Sequence, residues 1–153
     1  MIDYKLQIIG LGYIGLPTAI ITSTYGIPTR GIDINESYIN QIIDRKLKFN
    51  EKGLEEKLEA VLRNKKLELG TELKSSKIFL IVVPTPINPN MSPDTSYVLK
   101  AINQIIPILK KGNLIIIEST CPVYTTNKMY DHIVKKKPEL KNKIYMAYCP
   151  ERV

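Results

Sequence analysis

The sequence predicts a single α/β domain: one sheet of parallel strands with helices on both faces. Three observations carry that prediction. Short apolar runs of strand length alternate with amphipathic stretches of helix length along the whole chain. Two of the runs, Ile78 to Val83 and Leu114 to Ile117, are continuously apolar, as strands buried on both faces of a parallel sheet must be. The stretch from Lys5 to Asp33 also opens with a glycine-spaced turn between a strand and a helix.

In that stretch, Leu6 to Ile9 reads as the first strand, Ile14 to Tyr25 as a helix and Thr29 to Ile32 as the second strand, which ends on Asp33. Gly10, Gly12 and Gly15 stand between strand and helix at the spacing G-x-G-x-x-G. The spacing alone is a weak signal; its place in a strand–turn–helix–strand–acid unit makes it specific for a dinucleotide. Gly10 allows the tight turn, Gly12 lets backbone approach a pyrophosphate, and Gly15 lets the helix pack closely on the strand. Unpaired N–H groups and the positive end of the helix dipole suit a diphosphate. The Asp33 carboxylate can accept hydrogen bonds from a ribose diol and would repel a 2′-phosphate. Ile34, Asn35 and Glu36 supply no arginine for such a phosphate, and Arg30 is expected to turn away, so NAD is the cofactor expected rather than NADP.

The rest of the chain continues the alternation. Glu36 to Arg45 has a helical pattern of isoleucines, with Asn35 or Ser37 as its cap. Lys46 to Gly53 is a connection, Leu54 to Lys65 a second amphipathic helix, and Leu67 to Leu69 a short strand closed by Gly70. Pro84-Thr85-Pro86 stops the strand at Ile78 to Val83. A helix started by Asp94 or Thr95 ends or kinks near Pro107, and Leu114 to Ile117 follows. Pro122 then breaks the chain, Thr125 or Thr126 caps a helix to about Lys137, and Ile144 to Tyr148 is the last strand. Right-handed crossovers between these strands give a doubly wound, Rossmann-type sheet.

Bulk properties fit one domain with a core: 153 residues, 44% hydrophobic and 24% charged. No run approaches a membrane span, and MIDYK is no signal peptide. The formal charge of +7 lies partly in scattered lysine runs without interleaved aromatics, which argues against a nucleic-acid groove. Cys121 and Cys149 give neither a disulfide framework nor metal spacing, so no metal site is expected and a reducing cytoplasm is the default.

In such sheets ligands bind beyond the carboxyl ends of the strands. That rule gathers Asp33, Thr85, Glu118 to Thr120 and Glu151 on one edge, facing the bound dinucleotide.

The motifs GLGYIGLPTA, GIDIN, VVPTP, SPDTSYV, KKGNLIIIEST and YCPERV resemble, in order and spacing, the N-terminal NAD-binding domain of the UDP-glucose/GDP-mannose dehydrogenase family. Within it, CPERV and EST-x-P-V are most similar to the UDP-N-acetylmannosamine dehydrogenase type. The resemblance implies NAD as cofactor, oxidation of a UDP-sugar C6 alcohol to a carboxylate in two steps, and a polysaccharide-biosynthesis setting. It implies that Tyr13 and Ile14 line the pyrophosphate turn and that Asp33 holds the adenosine ribose. Thr85 and Thr126 would touch the cofactor. Thr120 and Glu151 would face the reacting carbon, with Thr120 also against the cofactor, and Glu151, Arg152 and Val153 would begin the substrate-binding segment.

Three positions depart from the family pattern. Tyr38 stands where Lys or Arg is usual, Tyr124 where glycine is usual, and Glu51-Lys52-Gly53-Leu54 lacks the usual proline. The family's catalytic cysteine, its central helix and its UDP-binding domain all follow the PERV segment. Residues 1–153 are therefore expected to be the NAD-binding domain alone, inactive by itself and mostly monomeric, whereas the full-length family is homodimeric. Cys149, Cys121 and His132 are not expected to act as nucleophile or base. Two other readings are a dinucleotide-binding module without chemistry and the NAD domain of another Rossmann dehydrogenase, such as the 3-hydroxyacid type.

Overall fold

The alternating runs form one six-stranded, wholly parallel sheet in the order β3-β2-β1-β4-β5-β6. The computed structural model describes residues 4–47 and 52–151. In chain order the elements are β1 (Tyr4–Ile9), α1 (Gly15–Thr24), β2 (Thr29–Ile32), α2 (Glu36–Ile43), α3 (Leu54–Arg63), β3 (Leu67–Gly70) and β4 (Ser76–Ile81), then α4 (Ser96–Ile105), β5 (Leu114–Ile117), α5 (Thr125–Lys136) and β6 (Tyr145–Tyr148). Ile106–Ile108 and Pro138–Leu140 are single 3₁₀ turns, the first where Pro107 stops α4. No helix among the described residues is long and apolar enough to cross a membrane. Part of the connection from Lys46 to Gly53, Glu51 included, lies outside the described residues.

Each central strand feeds two cores. Phe79 and Ile81 of β4 point to the face covered by α4 and α5, where Val98, Ile102, Ile105, Met129 and Ile133 are buried. Leu80, between them, points to the face covered by α1, α2 and α3, with Leu16, Ile20, Ile42 and Leu58. The two-residue alternation of the strand distributes a continuously apolar run over both layers.

Register positions the site. Ile9 lies opposite Ile32 on one side and Ile81 on the other; Ile81 lies opposite Ile117, and Ile117 opposite Tyr148. The carboxyl ends of five strands are thus level, and the segments after them leave from one edge.

Most element ends fall within two residues of those predicted, and the differences have local causes. β4 starts two residues earlier than expected, where Ser76 pairs with Tyr4, and ends two residues earlier, where the Ser119 hydroxyl takes both the N–H and the C=O of Val83. Asn35 caps α2 by accepting the N–H of Tyr38. At α4 the N-cap residue Thr95 makes no side-chain cap bond; the Asp94 carboxylate accepts the N–H of Ser96 instead, which pulls its pKa down. At α5 neither threonine caps. Thr125 is already helical, and Tyr124 holds the N-cap in the left-handed region at φ +68°.

That conformation explains the glycine usual at this position of the family, because a Cβ in the left-handed region costs about 1–2 kcal/mol. Tyr124→Gly is expected to raise stability by about 0.5–1 kcal/mol, the relief offset in part by the greater freedom of an unfolded glycine. Urea denaturation reads the change as a higher midpoint with unaltered slope.

Candidate dinucleotide site

The turn from β1 to α1 is built by close backbone contacts. Gly10 has φ +97°, and a Cβ there would lie 2.1 Å from the carbonyl oxygen of Val82. A Cβ on Gly15 would lie 1.9 Å from the carbonyl oxygen of Gly10. Gly12 differs: a Cβ there would meet no heavy atom within 4 Å. Two glycines are therefore required by the fold itself. The third faces open space, the cradle that a diphosphate needs for backbone approach. α1 begins behind it with no side-chain cap and no acidic residue in its first turn, leaving the positive end of the helix to a ligand.

Asp33 ties this turn to the end of β2. One carboxylate oxygen accepts the N–H of Leu11 at 3.1 Å, the other the N–H of Asn35 at 3.0 Å. A carboxylate has about four acceptor positions, so the group keeps capacity for hydroxyl donors. The buried Tyr38 phenol donates to the carbonyl of Leu11 at 2.9 Å, closing the circuit from the other side. Burial, then the neighbouring Asp33 and Tyr13, push its pKa up, so it stays protonated and remains a donor. Arg30 faces away as expected. It is buried, paired with Glu68 of β3, and bonded through Nε to the carbonyl of Glu72 at 3.0 Å.

These parts line a cleft of about 540 Å³ across the carboxyl edge. Of the residues expected there, Gly10, Gly12, Tyr13, Ile14, Asp33, Thr85, Thr120 and Glu151 line it. Gly15 supports the cleft from behind and Thr126 is the second residue of α5; neither is a lining residue. Arg152 and Val153 lie outside the described residues. A second, more apolar cleft shares Gly10, Asp33, Val83 and Pro84 with the first and runs toward Tyr97 and Ala101 of α4.

Ser119 and Glu118, which the sequence gathers at this edge as strand-end residues, and Tyr148, to which it assigns no role, shape the distal end. The buried Ser119 Oγ accepts from Val83 N–H at 2.9 Å and donates to Val83 C=O at 2.7 Å, binding the segment that carries Thr85 to the segment that carries Thr120. Tyr148 of β6 accepts the N–H of Cys121 through its hydroxyl at 3.0 Å and fixes the other side of Thr120. Glu118 has one oxygen buried with no hydrogen-bond partner among the described residues; burial, then Glu151, push its pKa up. A strand-end acid beside a second strand-end acid was the signal available for it.

Burial raises the Cys121 thiol, the opposite of an activated nucleophile, and Cys149 is exposed at a strand end. His132 Nε2 meets Asn103 Oδ1 at 2.9 Å, bridging α5 to α4.

The comparisons with known proteins agree with this geometry. Residues 4–153 match the family model "UDP-glucose/GDP-mannose dehydrogenase family, NAD binding domain". The chain belongs to this family. It is 43% identical over 153 residues to a UDP-N-acetyl-D-mannosamine dehydrogenase of Methanococcus maripaludis, covering 97% of this chain and 34% of that protein. It is 41% identical to the enzyme of that name from Methanocaldococcus jannaschii, covering 99% and 35%. The solved UDP-N-acetyl-mannosamine dehydrogenase Cap5O from Staphylococcus aureus superposes with a TM-score of 0.86 at 40% identity, over 97% of this chain and 37% of that one. The chain thus spans about a third of the length of the relatives it matches. It is a dehydrogenase-family NAD-binding domain with the Rossmann-type fold.

The raised pKa of Glu118 carries a stability consequence. The folded state favours the protonated carboxyl, so folding loses free energy as pH rises through the shifted value, and no penalty exists below the unfolded value. Glu118→Gln is expected to raise the melting temperature at mildly alkaline pH and to leave it unchanged in acid, where both side chains are neutral. Thermal melts across pH read the difference.

Proposed function

We propose that residues 1–153 are the NAD-binding domain of a UDP-sugar 6-dehydrogenase of the UDP-N-acetylmannosamine type. The open cradle in front of Gly12, at the uncapped start of α1 and beside Asp33, is the observation that carries the reading. Backbone N–H groups of the Gly12–Ile14 turn hold the diphosphate. Asp33, already fixed by Leu11 and Asn35, accepts the adenosine ribose hydroxyls, and the second cleft toward α4 takes the adenine. Thr85 and Thr120 stand on the two segments joined by Ser119, across the strand ends where the nicotinamide half reaches. Bound NAD+ supplies the hydride acceptor for the sugar C6 alcohol. Thr120 and Glu151 orient that hydroxyl and a water molecule by hydrogen bonds, Thr126 in the first turn of α5 touches the cofactor, and Arg152 and Val153 lead into the sugar-binding segment. The full-length protein is a homodimer and this portion a monomer, in a reducing cytoplasmic setting. The motifs Pro-Thr-Pro, Glu-Ser-Thr and Cys-Pro-Glu-Arg-Val favour this reading over a 3-hydroxyacid dehydrogenase.

Calorimetry with both cofactors tests cofactor choice. NAD+ is expected to bind at least tenfold tighter than NADP+, since Asp33 repels a 2′-phosphate and no arginine among the described lining residues receives one. Gly12→Val is expected to fold, because its side chain points into open space, and to lose NAD+ binding. Tighter binding of NADP+, or a folded Gly12→Val variant that binds NAD+ normally, overturns the assignment.

We infer that this portion binds NAD+ without turning over a UDP-sugar. Orientation of the alcohol against the ring contributes on the order of 7–11 kcal/mol in well-aligned reactions. The cleft supplies one wall for that purpose, and neither Cys121 nor Cys149 is among its described lining residues. Incubation with NAD+ and UDP-N-acetylmannosamine, UDP-N-acetylglucosamine or UDP-glucose is expected to give no NADH absorbance. Sustained turnover abolished by Glu151→Gln refutes the inference.

A further inference from the structure

The cleft has a charge pattern that dinucleotide binding alone does not require. Among the described residues its lining includes three carboxylates, Asp33, Glu118 and Glu151, and no lysine, arginine or histidine, on a chain whose formal charge is +7. Asp33 is engaged on both oxygens by backbone N–H groups at the turn end. Glu118 is not so engaged. It follows β5, two strands away from β1 across β4, with one oxygen buried and unpartnered and Glu151 of the neighbouring segment as its charged neighbour. A dinucleotide with its diphosphate at Gly12 and one ribose at Asp33 has a single direction left for its other half: over the end of β4 toward β5 and β6. The group that arrives there is the nicotinamide ring, cationic when oxidised and neutral when reduced.

We propose that Glu118, supported by Glu151, is a specificity-determining residue that makes this cleft prefer the oxidised cofactor to the reduced one. The proposal rests on the cofactor reading above. A half-buried carboxylate with one buried oxygen left without a hydrogen bond is costly, and a positive ring offsets the cost where a neutral ring does not. Among the described residues, the groups facing Glu118 do not supply that charge otherwise. The end of β4 presents Val83, Pro84 and Thr85, and β6 leads to Glu151. Asp33, Tyr13 and Tyr38 line the far end, and the Cys121 and Cys149 thiols flank the segment. Because burial and Glu151 raise the Glu118 carboxyl, it holds its proton to higher pH than a free glutamate. Binding of the cation then expels that proton, whereas binding of the reduced cofactor does not. The preference therefore weakens as pH falls through the titration of Glu118.

Calorimetry with NAD+, NADH and ADP-ribose, which lacks the ring, separates the possibilities. The wild-type chain is expected to favour NAD+ over NADH at mildly alkaline pH. Glu118→Gln is expected to reduce that ratio roughly fivefold, the size of one ion pair at contact distance in water, and to leave ADP-ribose affinity unchanged. Proton release, measured in buffers of different ionisation enthalpy, should accompany NAD+ alone. An unchanged NAD+/NADH ratio in a variant that still binds ADP-ribose overturns the proposal while the cofactor reading stands. Should the variant not fold, the wild-type ratio decides, and a ratio independent of pH is the refuting result. If none of the three ligands binds the wild type, the cofactor reading fails and takes the proposal with it.

Discussion

The carboxyl edge of this domain depends on one steric constraint: three backbone segments pass too close for side chains. The carbonyl of Gly10 occupies the space where a Cβ of residue 15 would stand, and the carbonyl of Val82 the space where a Cβ of residue 10 would stand. Satisfying both brings the start of α1 down onto β1 and brings the end of β4 against the turn. The crevice where sheet order reverses, between β1 and β4, is the consequence. A helix start with no cap of its own is thereby aimed across the strand ends, and a helix terminus so placed attracts an anion. Gly12 belongs to the same motif for another reason, since nothing in the protein crowds it.

What the sequence made legible follows from periodicity and chain geometry. A continuously apolar run such as Leu114 to Ile117 has only one comfortable place, in a parallel sheet covered on both faces, and the strand has those bounds. Alternation of strand and helix then fixes handedness, and handedness fixes which edge receives the ligand. Asp33, Thr85, Thr120 and Glu151 could be gathered in advance because each follows a strand and the strands end level.

What escaped the sequence is the set of bonds between segments distant in the chain. Ser119 carries no pattern that says its hydroxyl will capture the backbone of Val83, yet that capture ends β4 early and joins two walls of the cleft. Tyr148 gives no sign that it will reach Cys121. The caps show the same limit on a shorter scale. Ser, Thr and Asp can all cap a helix, and at α4 it was the residue before the N-cap that made the bond. At α5 the choice between two threonines was decided against both, by a tyrosine forced into a conformation that glycine adopts freely.

The turn at Gly12 also shows how a basic protein can offer a diphosphate a cradle that, among the described residues, has no basic side chain in its lining. Tyr38 stands where relatives usually have a cation, and its phenol is spent on the Leu11 carbonyl. Arg30, the cation nearest in sequence to Asp33, is committed to Glu68 on the far side of β2. Attraction for the diphosphate is left to oriented N–H groups and the dipole of α1, whose charge is fixed by backbone geometry and falls off within a turn. Such an anion site discriminates by shape, because only a group that fits against Gly12 reaches the N–H groups at all. Tyr38 and Asp33 act through that shape, one on the carbonyl and one on the N–H of Leu11. Holding Leu11 from both sides keeps the turn open in the form that a diphosphate can enter.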